Sequence, residues 1–111
     1  MSKNKKTKVC HIDIGKDFAK SLGTRLKKNS ENSGEEFFET LLEPAFNTYD
    51  KVVIHLDSLT GYSAGFLEES FGGLVRKYGH EKVTAKIRFE GTKRAYLIPE
   101  ILKWMAEAKQ K

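Results

Sequence analysis

The chain has little of several residue types that define special classes of protein. It contains one cysteine and two prolines among 111 residues. A single cysteine excludes an internal disulfide, so we expect a reducing, cytoplasmic setting. No apolar run approaches the roughly 20 residues that a membrane helix needs, and the first residues, MSKNKKTK, lack the apolar segment of a secretory signal. These absences predict a cytoplasmic globular protein without a membrane segment.

Common catalytic and metal-binding motifs are also missing. The cysteine and the three histidines are scattered, without a C-x-x-C or H-x-x-x-H spacing, and neither a P-loop nor a G-x-S-x-G turn is present. We therefore expect no metal, no cofactor and no enzymatic activity. The enzyme alternative is a small α/β catalyst that uses Cys10, His55 or Ser63. In that case Cys10 and His55 would form a nucleophile and base if their strands were neighbours.

The net charge of +5 hides a segregation along the chain. Residues 1–30 carry nine Lys or Arg against two Asp, residues 31–70 one Lys against nine acids, and residues 71–111 ten Lys or Arg against four Glu. If the fold brings the two basic thirds together, nucleic-acid binding is an alternative function. Its candidate residues are Lys3, Lys5, Lys6, Lys8, Lys27, Lys28, Lys86, Arg88, Lys93 and Arg94.

The chain is organised around residues 51–79, which predict one strand, one polar loop and one amphipathic helix. The run VVIHL is short and mostly β-branched, which is typical of an internal strand covered on both faces. Short polar residues and glycine then favour a loop: Asp57, Ser58, Thr60, Gly61 and Ser63. Apolar residues three or four apart predict a helix on the sheet: Phe66, Leu67, Phe71, Leu74, Val75 and Tyr78. Gly72 and Gly73 predict a close approach of this helix to the sheet, and Gly79 predicts its C-terminal cap.

The flanking segments predict further strands and helices. Residues 9–14 alternate between apolar and polar and form the first strand. Ser33 and Glu36 match a capping box, so we expect a helix from there to about Asn47. Residues 83–90 alternate again, which indicates an edge strand or a half-covered sheet, and Pro99 opens a final helix. We expect residues 1–7 to be a disordered basic tail and residues 8–111 to form one domain.

Four stretches of the chain together form a known pattern. They are KVCHIDIGKDF, SGEEFFETLLEPAFN, DSLTGYSAGFLEESFGG and KVTAKIRFEG, and they cover about residues 8–90. In this order they resemble the STAS-like domains of unknown function, which are similar to the anti-sigma-factor-antagonist and sulphate-transporter (STAS) domains. The resemblance implies a single α/β domain with a mixed sheet of about four strands and about three helices packed on it. It also implies a short second strand at residues 24–27, and the first strands would add an antiparallel edge.

The resemblance also implies a function. It points to a non-enzymatic regulatory module that binds a protein partner, such as an ATPase-type kinase or a transcription regulator, through the loop and helix at residues 57–78. The candidate partner-binding residues are Asp57, Ser58, Thr60, Tyr62, Ser63, Glu68 and Glu69. Tyr62 is either an exposed anchor for the partner or is packed under its own helix.

One feature of the antagonists is missing from this loop. In those proteins the comparable turn, D-S-S/T-G-L, is phosphorylated on its second hydroxyl by a kinase that is also the anti-sigma factor. An ungapped alignment of residues 56–67 places Gly65 at that acceptor position, so no hydroxyl is available there. Ser63 is then either the N-cap of the following helix or a displaced phosphorylation site.

Overall fold

Three strands and five helices make up the described part of the chain, which in this computed structural model is residues 7–108. The elements are β1 (Val9–Asp13), α1 (Ile14–Asp17), α2 (34–48), β2 (Lys51–His55), α3 (64–78), α4 (His80–Lys86), β3 (Ile87–Glu90) and α5 (Leu97–Ala108). Each of the two longer helices contains a π-helical turn, Phe38–Leu42 in α2 and Glu68–Gly72 in α3. Except for Thr7, the tail predicted to be disordered lies outside the described residues.

The sheet is parallel throughout, with the order β1-β2-β3. The expectation that β2 is internal is confirmed, and β3 is an edge strand as the alternation indicated. Within the described residues the sheet has three strands, so the expected mixed sheet of about four strands is corrected. The five helices likewise replace the expected three. Parallel neighbours need long crossovers, and the chain supplies these as α2 and as α3 with α4.

Residues 24–27 form a loop rather than the expected strand. Their carbonyl groups accept hydrogen bonds from the start of α2: Gly34 N–H donates to Thr24 O at 2.9 Å, and Glu35 N–H donates to Arg25 O at 3.0 Å. The first N–H groups of a helix have no partner inside the helix. The segment therefore pairs with the end of α2 instead of with a strand.

The expected strand over residues 83–90 is correct only in its second half. Residues 80–86 form α4, and β3 begins at Ile87. Gly79 precedes α4 with a φ of +99°, a conformation that favours glycine, and it caps α3 as predicted. Helix α4 buries Val83 and leaves Ala85 exposed, which a strand with both residues on one face would not do. The part of the alternation that lies in α4, residues 83–86, is too short by itself to separate a helical from a strand period.

The helices pack on one face of the sheet and build the core there. The largest fully buried side chains include Phe37, Phe66 and Phe71, and the rings of Phe71 and Phe89 meet edge to face, 5.2 Å apart. The opposite face carries Val9, His11, Asp13, Lys51, Val53, His55, Arg88 and Glu90, which are exposed or half-buried except for Val53. The expectation that β2 is covered on both faces therefore holds only at its centre, where Val53 is buried between His11 and Arg88 of the neighbouring strands. At its ends, Lys51 and His55 are half-buried.

Gly72 and Gly73 were expected to bring α3 close to the sheet, but neither lies against a strand. A Cβ atom on Gly72 would meet the Glu68 carboxylate at 3.3 Å, and one on Gly73 would meet the Arg76 guanidinium at 3.7 Å and the Phe38 ring at 3.8 Å. The close backbone approach is elsewhere: a Cβ atom on Gly34 would lie 2.7 Å from Phe66 O. Glycine therefore permits contact between α2 and α3 rather than between α3 and the sheet.

Candidate functional site

The candidate site lies beyond the carboxyl ends of the strands. Because the strands are parallel, Asp13, His55 and Glu90 end at the same edge of the sheet. In open α/β sheets this edge is where ligands commonly bind. The loop at residues 57–63, which holds five of the seven predicted site residues, leaves β2 here.

Three polar residues of this loop fasten it to its neighbours. The Asp57 carboxylate accepts hydrogen bonds from the N–H groups of Arg94 and Thr92, both at 2.9 Å, and these bonds lower the pKa of Asp57. Ser58 Oγ donates to Asp13 Oδ2 at 3.2 Å. Thr60 Oγ1 donates to Lys20 O at 3.2 Å. These side chains therefore hold together the loops that follow the three strands.

Tyr62 is exposed, as the partner-anchor interpretation requires. Its side chain is 40% exposed, and its hydroxyl donates to Glu100 Oε1 on α5 at 3.1 Å. This hydrogen bond, together with partial burial, raises the pKa of Tyr62. Tyr62 lines a cavity of about 260 Å³ whose other walls are Leu59, Thr60, Gly61, Arg94, Tyr96 and Leu97.

Five residues of this cavity were not among the predicted site residues, and two of them, Arg94 and Tyr96, carry polar side chains. Tyr96 is 56% exposed. Arg94 was considered only as a contact to nucleic acid, but its guanidinium is held in the cavity: Nε donates to Leu59 O and Nη1 to Tyr96 Oη, both at 2.9 Å. An aromatic residue in a polar loop is the signal that identified Tyr62. The same criterion applied to residues 91–96 would have found Tyr96.

Glu68 and Glu69 lie in an ion-pair cluster on α3. Glu68 is only 8% exposed, and its carboxylate pairs with Arg25 and with Arg76. Glu69 Oε1 lies 3.7 Å from Arg25 Nη1. Burial alone would raise the pKa of Glu68, but the hydrogen bonds and charges of Arg76 and Arg25 outweigh it and lower the pKa. The cluster joins α3 to the loop that contains Arg25.

We expect Glu68→Gln to reduce stability by about 1 kcal/mol at neutral pH, because the partly exposed arginines lose their charged partner. The pKa of Glu68 in the folded state lies below the ordinary value of 4.5. Its ionised form therefore stabilises the fold fully above that value, and this contribution is lost as the pH falls through the folded pKa.

Urea unfolding of wild type and Glu68→Gln at pH values from about 7 down to about 3 measures this effect. The difference between the two proteins should shrink as the pH falls. The exposed Glu107 on α5 supplies a Glu→Gln control of equal charge change. A difference that is independent of pH would show that the charge of Glu68 is not the cause.

Ser63 is the N-cap of α3, as one of the two interpretations predicted. Phe66 N–H donates to Ser63 Oγ at 3.1 Å, and Ser63 Oγ donates to Gly23 O at 2.8 Å. Ser33 caps α2 in the same way, accepting from Glu36 N–H at 3.1 Å. The Ser63 hydroxyl thus joins the start of α3 to the loop before α2.

Ser63→Ala should lower the free energy of unfolding by about 1 kcal/mol, because the cap is lost and Gly23 O loses a donor. Urea unfolding measures the change. Ser58→Ala is a useful comparison, because Ser58 lies in the same loop but does not cap a helix. An Ser63→Ala protein as stable as wild type would argue against the cap.

Cys10 and His55 do not form a nucleophile–base pair. Their strands are neighbours, but Cys10 faces the helices together with Ile12, whereas His55 lies on the open face of the sheet. Burial, together with the charge of Asp17, raises the pKa of Cys10, which disfavours the reactive thiolate. His55 is instead hydrogen-bonded to His11, 2.8 Å from Nε2 to Nδ1.

Several basic residues of the nucleic-acid alternative are bound within the protein. Lys27 Nζ pairs with Glu39 at 2.7 Å, Lys86 Nζ donates to Phe46 O at 2.7 Å, and Arg94 is held as described above. Lys3, Lys5 and Lys6 lie outside the described residues. Three of the candidate side chains in the described part, Lys27, Lys86 and Arg94, therefore serve different local contacts.

None of the helices in residues 7–108 combines the length and the apolar character needed to cross a membrane.

Comparison with known proteins identifies the family of this chain. Neither the curated proteins nor the solved structures gave a match. The model of one family, described as a STAS-like domain of unknown function (DUF4325), matches residues 33–96, a range that runs from the cap of α2 through β3 to Tyr96. This range covers more than half of the chain and confirms the resemblance seen in the sequence. The chain therefore belongs to the family of STAS-like domains of unknown function.

Proposed function

We propose that the chain is a cytoplasmic, non-enzymatic regulatory module that binds a protein partner through the surface formed by Thr60, Tyr62, Arg94 and Tyr96, here called the tyrosine surface. The observation that carries this proposal is the convergence of two exposed tyrosines and an arginine around one cavity. Tyrosine and arginine are the residue types most enriched, with tryptophan, among side chains that dominate protein–protein affinity.

The exposed apolar side chains support the same surface. In the described part of the chain, four large hydrophobic or aromatic residues are exposed, and two of them, Tyr62 and Tyr96, line this cavity. The other two are Val9 and Leu102. The buried Leu59 and Leu97 give the cavity an apolar floor. An apolar partner side chain that enters the cavity would therefore be buried against Leu59 and Leu97.

The tyrosine surface is also ordered before binding. Arg94 is held by two side-chain hydrogen bonds, and its own N–H donates to Asp57 at 2.9 Å. A preorganised side chain loses little conformational entropy when a partner arrives, which favours affinity. A guanidinium beside an apolar floor suits a partner segment that presents a carboxylate next to an apolar side chain.

The regulatory part of the proposal rests on the family resemblance to anti-sigma-factor antagonists. An ATPase-type kinase or a transcription regulator is the kind of partner that such proteins bind. The Ser63 hydroxyl already makes two hydrogen bonds, and Gly65 stands at the acceptor position. Both facts favour binding that does not depend on phosphorylation of this loop.

Affinity capture from the source organism tests the proposal. Wild type should retain one partner that a Tyr62→Ala, Tyr96→Ala double variant loses. With the purified partner, the double variant should bind at least about 30-fold more weakly, because truncation of a dominant residue costs about 2 kcal/mol or more. Leu102→Ala, which removes an exposed apolar side chain from α5 outside the cavity, is the matched control and should bind like wild type.

The outcome against the proposal is equally definite. If every captured protein binds the folded double variant as well as it binds wild type, the tyrosine surface is not the binding site. All the substituted side chains are exposed, so we expect the variants to fold. Circular dichroism of each variant checks that it is folded.

A further inference from the structure

Two histidines face each other on the open side of the sheet. His11 lies on β1 and His55 on β2, and His11 Nδ1 is 2.8 Å from His55 Nε2. The ring centroids are 5.1 Å apart, with 24° between the ring planes. A hydrogen bond between two imidazoles needs one ring nitrogen with a free lone pair. That lone pair is also what a metal ion binds.

We propose that His11 and His55 form a two-histidine site for a divalent transition-metal ion, held by His11 Nδ1 and His55 Nε2. A metal–nitrogen distance of about 2.0–2.1 Å places two ligand nitrogens about 2.9 Å apart at a right angle, or about 3.3 Å apart in a tetrahedron. The observed separation is close to the first value. His11 is exposed, so its proton can pass through water from Nδ1 to Nε2 and its ring can turn until both lone pairs meet at the ion.

The second nitrogen of His55 has the partner that metal-bound histidines usually have. His55 Nδ1 lies 3.8 Å from Glu90 Oε1 on β3, so a modest shift of the exposed Glu90 side chain makes a hydrogen bond. Such a carboxylate orients the ring and leaves the other nitrogen to bind the metal. The geometry therefore assigns His55 Nε2 to the ion and Glu90 to the positioning of His55.

Charge around His55 also favours a cation. His55 lines a cavity of about 180 Å³ together with Asp13, Asp57 and Glu90. The Asp13 and Asp57 carboxylates are engaged by Ser58 and by the N–H groups of Thr92 and Arg94, so they supply charge rather than ligands. Two cationic side chains, Lys51 and Arg88, share this face of the sheet, and Lys51 Nζ donates to Ala85 O.

The ligand set predicts which metals bind. Within residues 7–108, no group of three or more His, Cys, Asp or Glu side chains could hold a metal ion. The two histidines would therefore be the only protein ligands from this part of the chain, and water would complete the coordination shell. Imidazole ligands suit Cu²⁺, Ni²⁺ and Zn²⁺, and a right-angle pair completed by water suits octahedral, paramagnetic Ni²⁺ better than a tetrahedral zinc site. We therefore expect Ni²⁺ to bind more tightly than Zn²⁺, and Mg²⁺ to show no binding.

Calorimetric titration of Ni²⁺ into tag-free protein at neutral pH tests the site. A Cys10→Ser background removes the one thiol. We expect one ion per chain, a loss of at least about tenfold in affinity for His11→Gln and for His55→Gln, and about a tenfold loss for Glu90→Gln. His80→Gln, at the start of α4, is the matched control and should bind like the background protein.

Amide spectra recorded by NMR locate the ion. Paramagnetic broadening should be confined to the ends of β1, β2 and β3, and it should vanish in the His11→Gln, His55→Gln double variant. Absence of binding at millimolar Ni²⁺ would overturn the proposal, as would binding that survives in the double variant or is lost in His80→Gln. The spectra of the metal-free variants also show whether each is folded.

Discussion

Replacing Phe71 with alanine is expected to lower the free energy of unfolding by about 3–5 kcal/mol, the largest change among the substitutions considered. Phe71 is completely buried in α3, and its ring meets those of Phe37 and Phe89 edge to face, 6.0 Å and 5.2 Å away. The side chain therefore joins α2, α3 and β3. Removal of the ring leaves a cavity, and this cavity could close only if α2, α3 and β3 moved.

Urea unfolding monitored by circular dichroism measures this change. Tyr96→Ala deletes an aromatic side chain of similar size that is 56% exposed, so it should cost less than about 1 kcal/mol. A loss below about 1 kcal/mol for Phe71→Ala would mean that Phe71 is not at the centre of the core.

Alanine at Gly34 is expected to be destabilising by about 2–3 kcal/mol, even though alanine is the better helix former. Gly34 is the first residue of α2, and its backbone lies against the first turn of α3. An added Cβ atom would lie 2.7 Å from Phe66 O and 3.1 Å from the Cβ atom of Glu69. Both neighbours belong to α3, so the two helices would have to separate.

Gly65→Ala provides a matched control for this prediction. Gly65 lies in the first turn of α3, and an added Cβ atom there would meet Arg25 at 3.6 Å, an ordinary contact. Alanine at Gly65 should therefore leave stability unchanged or raise it by up to about 1 kcal/mol. Equal effects at the two glycines in urea unfolding would exclude close helix packing as the reason for Gly34.

The features that the sequence predicted correctly depend on neighbours in the chain. The run of β-branched residues identified β2, and the polar residues after it identified the loop. Ser33 was recognised as a cap, and a cap was one of the two interpretations of Ser63, because a cap bonds to an N–H group three residues later. The strand expected at residues 24–27 failed because its backbone carbonyls pair with the start of α2, a partner that no local pattern reveals.

The candidate site shows the same division. Tyr62 was found because an aromatic residue in a polar loop is unusual. Arg94 and Tyr96 lie more than 30 residues further along the chain, and Asp57 brings their loop to Tyr62 by accepting the N–H groups of Thr92 and Arg94. Glu68 was predicted to bind a partner, but Arg25 and Arg76 pair with its carboxylate, which is buried.

The sequence by itself determined the α/β class, the family, the central strand–loop–helix unit, the N-cap of α2 and the C-cap of α3. Hydrophobic period, turn chemistry and capping act over a few residues, so they are visible in the chain. Only the tertiary structure decided that the sheet is wholly parallel, that one face is open and that His11 meets His55 there. It also decided which loops form the tyrosine surface. These features depend on register and on hydrogen bonds between residues far apart in the chain, and their energies exist only once the strands and helices have packed together.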